Sequence, residues 1–144
     1  MYNDAYAFTH LEPYAYFHGG YNEFYPTGNF IARMNLQQEP YTTEFISPNY
    51  DMPAGRNYHT ITSVGRYLYM YGGNDGKRAL DELWRFDSDK EIWEYATIFG
   101  AHPTPRYGHA ATSHGSSLLI WGGRNGSTLY NDLWVYSVLK NSWD

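Results

Sequence analysis

The chain has 144 residues, of which 42% are hydrophobic and 19% aromatic, with a formal net charge of -5 at pH 7 and no cysteine. This charge offers no basic surface for nucleic acid, and the missing thiols exclude disulfides, thiolate metal ligands and a cysteine nucleophile. Since there is neither a signal peptide nor an apolar run of 18 residues, we expect a cytoplasmic protein with no nucleic-acid or membrane partner.

The first predicted unit spans residues 1–50 and carries a Gly pair, Gly19–Gly20, at the end of its second strand. The pair lies 53 residues before a second pair, Gly72–Gly73. Ungapped comparison from the pairs gives matching strands, including Ile31–Asn35 against a later Leu-Trp-Arg-Phe-Asp. Four positions depart from the later pattern, namely Asn3, Tyr6, Ala32 and Tyr41, which stand for Arg, His, Trp and Trp respectively. We interpret the unit as a divergent repeat.

The second unit spans residues 51–100 and predicts four short strands. Tight turns rich in Gly, Asn, Asp and Ser separate them, which is typical of an antiparallel meander. The strands are predicted at residues 59–64, 67–71, 81–87 and 91–96. The 16 tyrosines and 5 tryptophans of the chain favour the same β structure.

The third unit spans residues 101–144 and repeats the second without a gap at an offset of 50 residues. Arg106 repeats Arg56, Gly122–Gly123 repeats the earlier Gly pair, and Trp143 repeats Trp93. Because the matching strand of the second unit continues past its Trp, the fourth strand of the third unit is predicted to be truncated at Asp144.

A strand ending in Gly-Gly, then Leu-Trp-x-Phe/Tyr, then Trp, at a period near 50, resembles the Kelch repeat. The resemblance implies an all-β fold, a partial β-propeller of three four-stranded antiparallel Kelch blades. Blade 1 is then 1–50 and divergent, blade 2 is 51–100, and blade 3 is 101–144.

The repeated residues have a structural interpretation. Gly pairs allow close backbone approach, and the repeated Trp residues are expected to fill the space between blades. The buried-pair hypothesis joins Arg56 and Arg106 with Asp81 and Asp132, within or between blades. His59 and His109 occupy one repeat position, so a structural role is favoured over a metal site, and no catalytic, cofactor or metal residue is predicted.

Candidate partner-binding residues come from two sources. The loops between second and third strands emerge on the same face as the connections between blades, and loops on rigid scaffolds commonly carry function. The Kelch resemblance adds that an Arg before the first strand can line a partner pocket. The candidates are Phe24, Tyr25, Arg56, Arg78, Arg106 and Arg124.

The resemblance implies a protein–protein interaction scaffold without enzymatic activity or cofactor. The alternatives are a propeller enzyme of the sugar mutarotase or copper oxidase type, and a purely structural subunit of a large complex. Because propellers close with about four to eight blades, the missing blades are expected from the rest of a longer chain, from self-association or from another subunit.

Overall fold

A computed structural model describes residues 4–21, 28–48 and 51–144. These residues form three antiparallel four-stranded sheets and one two-stranded hairpin. The predicted all-β fold of three four-stranded antiparallel blades is thereby confirmed. Within the same ranges, no helix has the length and apolar character needed to cross a membrane.

Each sheet uses its strands in chain order, so each blade is a simple meander. Blade 1 contains β1 (Asp4–Leu11), β2 (Tyr14–Tyr21), β3 (Ile31–Asn35) and β4 (Thr43–Ile46). Blade 2 contains β5 (Thr60–Val64), β6 (Tyr67–Tyr71), β7 (Leu83–Asp87) and β8 (Ile92–Tyr95). Blade 3 contains β9 (Ala110–His114), β10 (Ser117–Trp121), β13 (Leu133–Ser137) and β14 (Ser142–Trp143), with the hairpin β11 (Arg124–Asn125) and β12 (Thr128–Leu129) between β10 and β13. The blade boundaries at 50 and 100 stay predictions.

The first strands of successive blades lie side by side, so β1, β5 and β9 form the inner edge of the arrangement. At this edge, the backbone N–H of Ser63 donates to Thr9 Oγ1 at 3.1 Å, and the Ser63 hydroxyl donates to the carbonyl of His10 at 2.8 Å. Neighbouring blades are thus hydrogen-bonded where they converge.

Strand β6, in the middle blade, carries large apolar or aromatic side chains on both faces because a neighbouring blade covers each face. Side chains alternate between the faces of a strand. Leu68 and Met70 therefore pack toward blade 1, and Tyr69 and Tyr71 pack toward blade 3, all four being at most 1% exposed. A strand covered on both sides has no solvent face on which a polar alternation would be stable.

The repeated Trp residues lie between blades, as predicted. Trp93 packs in the cluster between blades 1 and 2 and is 1% exposed. Trp143 packs in the cluster between blades 2 and 3 and is 5% exposed. One blade cannot cover such a ring by itself, so each Trp stabilises the junction with its neighbour.

The prediction that Tyr41 takes the place of Trp93 is wrong. In the strand register Met34 faces Thr43, whereas the equivalent Phe86 faces Trp93. Tyr41 precedes β4 and is 53% exposed. The connection from β3 to β4 is residues 36–42, against 88–91 in blade 2, so the ungapped comparison was displaced by the longer turn.

Candidate protein-interaction face

Strand direction places two groups of loops at the same end of the blades. In an antiparallel meander, the loop after the second strand and the connection after the fourth strand leave from the same end. Their described parts are residues 28–30, 47–48, 51–59, 72–82, 96–109 and 122–132, and we call this surface the loop face. The turns after first and third strands lie at the opposite end.

Two of the predicted partner-binding residues are exposed on the loop face. The side chain of Arg78 is 77% exposed, with Nε 3.9 Å from a carboxylate oxygen of Asp75. Arg124 is exposed in β11, and its Nε and Nη2 donate to the carbonyl of Gly126 at 2.9 and 2.7 Å. Each guanidinium retains donor capacity toward solvent, because only part of its five-donor fork is used.

The loop that carries Arg78 is held by its own side chains. Asn74 Oδ1 accepts the N–H of Gly76 at 2.7 Å, and Asp75 Oδ1 accepts the N–H groups of Lys77 and Arg78 at 2.9 Å. Such local bonds fix a turn without secondary structure. Burial acts to raise the pKa of Asp75, but the backbone N–H donors outweigh it and lower that pKa, so the carboxylate stays ionised in its turn.

The segments before β5 and β9 are hydrogen-bonded to these loops. Asn57 and Asn74 exchange backbone hydrogen bonds of 2.9 Å, and Tyr107 and Arg124 exchange bonds of 3.0 and 2.9 Å. The loop face is therefore a set of tethered segments, which limits the entropy that a bound partner would have to remove.

Tyr58 is an exposed aromatic residue on this face that sequence reasoning missed. It is 54% exposed, has a φ of +54°, and its ring centroid lies 6.3 Å from that of Tyr107. The equivalent residue of blade 3 is Gly108, with a φ of +65°. The sequence signal that could have identified Tyr58 is the Gly at the same position of blade 3, because Gly often marks a left-handed φ that a Tyr adopts only rarely.

Two predicted residues, Phe24 and Tyr25, lie outside the described residues. Their partner-binding role stays a prediction.

The remaining two, Arg56 and Arg106, are buried beneath the loop face. Their side chains are 0% and 1% exposed. Arg106 donates to both carboxylate oxygens of Asp132 at 2.6 and 3.0 Å, and to the carbonyl of Gly122 at 2.9 Å. Arg56 makes the corresponding bonds, to a carboxylate at 2.7 Å and to the carbonyl of Gly72 at 3.1 Å. This burial favours the structural interpretation, since contact with a partner would require each Arg to leave its network.

The pairing hypothesis is confirmed for Arg106 and wrong for Asp81. Arg56 binds Glu82, which is the 50-residue equivalent of Asp132, while the Asp81 carboxylate lies 4.0 Å from His102 Nδ1. The hydrogen bond from Arg106 is the main cause that lowers the pKa of Asp132 to about 2. Both pairs are within one blade and hold the third strand to the segment before the first.

The Gly pairs receive the Arg segment of the next blade. The N–H of Gly20 donates to the carbonyl of Arg56 at 3.2 Å, and the N–H of Gly73 donates to that of Arg106 at 2.9 Å. A Cβ at Gly19 would lie 2.6 Å from the Arg56 oxygen, and one at Gly72 would lie 2.6 Å from the Arg106 oxygen. The predicted role of the Gly pair, close backbone approach, is confirmed at both junctions.

Three histidines are buried in these junctions. His18 Nδ1 lies 3.0 Å from His59 Nε2, and His109 Nε2 lies 2.8 Å from Thr60 Oγ1. Burial, with the charge of Arg56, lowers the pKa of His18 to about 3. Burial likewise lowers the pKa of His59 well below its usual value, and lowers that of His109 to about 4. All three are neutral at pH 7.

In the described ranges no three His, Asp or Glu side chains converge to hold a metal ion, so these residues give the metal-site alternative no support.

Comparison with known proteins gives one family and several partial relatives. A family model described as the KLHDC2/KLHL20/DRC7 Kelch-repeats domain matches residues 5–144. Leucine-zipper-like transcriptional regulator 1 of Homo sapiens is 38% identical over 80 residues, which cover 56% of this chain and 9% of that protein. Acyl-CoA-binding domain-containing protein 5 of Arabidopsis thaliana is 40% identical over 55 residues, 38% of this chain and 8% of that protein. The chain thus spans less than a tenth of the length of these curated relatives.

Proposed function

Because this chain belongs to the KLHDC2/KLHL20/DRC7 Kelch-repeats family, we propose that it is a protein–protein interaction scaffold that binds its partner through the loop face. The observation that carries the proposal is the exposure of Arg78, Arg124 and Tyr58 on hydrogen-bonded loops above a rigid core. Arg and Tyr are the residue types that most often dominate the energy of protein interfaces. The rigid loops favour affinity because little freedom is lost on binding.

The scaffold acts without enzymatic activity or cofactor, and it acts in the cytoplasm. The cytoplasmic part of the proposal rests on the absence of cysteine from the sequence. No observation on the described residues favours the sugar mutarotase or copper oxidase alternative. Stoichiometric copper in the purified protein would overturn the non-enzymatic proposal.

Further blades complete the scaffold. Propellers close with about four to eight blades, and the described residues supply three. The additional blades come from the rest of a longer chain, from self-association or from another subunit. Loops of those blades extend the loop face.

Removing the two exposed cations is expected to weaken partner binding without unfolding the protein. In the double variant Arg78→Ala/Arg124→Ala, binding should weaken by at least about 30-fold, because two truncated interface anchors that cost more than about 1 kcal/mol each together cost more than about 2 kcal/mol. Proximity labelling in cells, with the enzyme fused to the wild-type chain or to the variant, identifies the proteins that depend on these side chains. The free energy of unfolding should change by no more than about 0.5 kcal/mol, as for other exposed positions.

The matched control is Lys90→Ala/Lys140→Ala, which removes two exposed positive charges from the opposite end of the blades. Its labelled proteins should be those of the wild type. Equal loss in both double variants would mean that only net charge matters, and unchanged labelling in the Arg variant would contradict the proposal.

Tyr58→Gly gives an independent arm of the same test. Gly suits the φ of +54°, so the variant should be no less stable and should gain up to about 1 kcal/mol from relief of left-handed strain. If Tyr58 contacts the partner, binding nevertheless weakens. A variant that is stabilised and binds as the wild type would remove Tyr58 from the proposed interface.

A further inference from the structure

Blade 3 has an exposed apolar face, whereas the equivalent face of blade 2 is covered. Trp121 and Leu133 are 53% and 52% exposed. Their equivalents in blade 2, Tyr71 and Leu83, are 0% exposed because blade 3 packs over them. The repeat therefore indicates that such a face is covered by a further blade, as blade 3 covers this face of blade 2.

Among the described residues, no neighbouring blade packs against the Gly pair of blade 3, whereas blade 3 packs against that of blade 2. A Cβ at Gly72 would meet the Arg106 carbonyl at 2.6 Å and His109 at 2.9 Å. A Cβ at Gly122, with a similar φ of +66°, would meet only the carbonyl of Tyr130, at 3.2 Å. Gly122 therefore has the backbone conformation with which Gly72 packs against the next blade, but the described residues contain no blade in contact with it.

Blade 1 carries the opposite feature on its own open face, a groove of about 440 Å³ lined mainly by aromatic and apolar side chains. The groove exists because two large residues of the repeat are replaced. Ala32 stands in the position of Trp84, and Thr43 stands in the position of Trp93. Tyr6, Met34 and Phe45 complete the part of the groove that matters here.

The protruding residues of blade 3 match this groove in position. At the junction of blades 2 and 3, Tyr71 contacts His109 and Trp143, with ring centroids 5.4 and 5.3 Å apart. The equivalents of that His and Trp in blade 1 are Tyr6 and Thr43, and both line the groove. At the internal junctions the smaller His18 and Tyr71 face Trp93 and Trp143. Between the open faces the sizes are exchanged, because Trp121 would face the smaller Thr43. Close packing tolerates such exchanges when total volume is kept.

A second contact agrees with the same docking geometry. Tyr69 of blade 2 packs on Tyr136 of blade 3, with centroids 5.8 Å apart. The equivalents are Leu119 on the open face of blade 3 and Met34 in the groove of blade 1. Leu119 and Met34 are both apolar, so this contact between open faces would bury no charge.

We propose that a second copy of this chain docks head to tail, with Trp121 of one copy inserted into the blade 1 groove of the other. Two such contacts related by a twofold axis close a ring of about six blades, which lies in the usual range for propellers. This inference rests on the proposed function in one respect, since it names the molecule that supplies the additional blades.

Sedimentation velocity of the 144-residue chain from about 1 µM to about 1 mM tests the proposal. We expect a species of twice the 16.7 kDa chain mass, in reversible equilibrium with the monomer. Trp121→Asp should be monomeric over the same range. Leu139→Asp is the matched control, because Leu139 is 84% exposed and lies in the turn between β13 and β14, away from both open faces, and it should dimerise as the wild type.

Two further arms test the head-to-tail geometry. Ala32→Trp fills the groove and should also be monomeric. A mixture of Trp121→Asp and Ala32→Trp restores one intact junction, so a heterodimer should form although neither variant dimerises alone. Unfolding curves of the variants establish that each is folded.

Three results would overturn the proposal. These are a wild-type chain that stays monomeric, a Trp121→Asp variant that still dimerises, and an Ala32→Trp variant that dimerises alone, as expected for contact between two blade 3 faces. None of them bears on the loop face, because the Arg78 and Arg124 variants leave both open faces intact.

Discussion

Gly72→Ala is expected to destabilise the protein by about 2–5 kcal/mol, and Gly122→Ala by only about 1–2 kcal/mol. Both glycines have a left-handed φ, +64° and +66°, so the cost of placing Ala in that conformation is common to them. Only Gly72 lies against a following blade, where its Cβ would overlap the Arg106 carbonyl and His109. Because backbone cannot rotate away as a side chain can, the overlap must be relieved by separating blades 2 and 3.

Urea unfolding of both variants, at a concentration where the chain is monomeric, measures the difference. The pair is matched in residue type, φ and repeat position, so the excess for Gly72 isolates the junction between the blades. Equal destabilisation by the two substitutions would mean that the Gly pair serves only its own turn, contrary to the packing described above.

Acidification is expected to unfold the protein well before its carboxylates are protonated. The pKa values of His18 and His109 are lowered to about 3 and about 4, and that of His59 is lowered as well. In the unfolded chain each histidine titrates near its ordinary pKa of about 6.5. Between these values the unfolded state binds more protons than the folded state, so stability is complete above about pH 6.5 and falls as the pH decreases.

The expected size of this effect is about 2 kcal/mol each for His18 and His109 by pH 5, from the proton linkage of about 1.4 kcal/mol per pH unit. Together these two groups cost about 4 kcal/mol, which is close to the lower end of the total stability of about 5–15 kcal/mol of an ordinary domain, and His59 contributes in the same direction. We therefore expect an acid transition near pH 5. Carboxylates with lowered pKa values, among them Asp132 and Glu82, contribute a separate loss below about pH 4.

The pH dependence of the free energy of unfolding, from urea titrations between pH 5 and pH 8, checks this expectation. His109→Asn should reduce the slope by about one proton, or about 1.4 kcal/mol per pH unit. His114→Asn, at the exposed end of β9, is the matched control for the change of residue type. A wild-type slope of zero between pH 5 and pH 6.5 would contradict the neutral buried histidines.

The repeat pattern predicted the strands well because the same requirement, close packing between adjacent blades, acts at every junction. A 50-residue offset without gaps aligned Arg56 with Arg106 and Trp93 with Trp143, and the structure gives each pair the same environment. The same comparison failed at Tyr41, since the blade 1 turn is longer and no residue near it marks the insertion. It also failed at Asp81, where the offset itself would have indicated Glu82.

The candidate site was less accessible to sequence reasoning. Whether an Arg before a first strand points to solvent or into the blade depends on the carboxylate and carbonyls around it, and these come together only in the fold. Arg78 and Arg124 are exposed, while Arg56 and Arg106 of the same residue type are buried. Tyr58 was missed because its conformation, rather than its residue type alone, distinguishes it.

Site-specific photo-crosslinking in cells tests most directly the claim that the loop face binds a protein partner. A benzophenone amino acid is placed at Leu129 on the loop face or at Leu139 in the turn at the opposite end, two Leu positions that are 75% and 84% exposed. Our account predicts a discrete crosslinked protein from Leu129 that is absent from Leu139 and is lost in the Arg78→Ala/Arg124→Ala background. The same product from both positions, or a product from Leu139 alone, would contradict it.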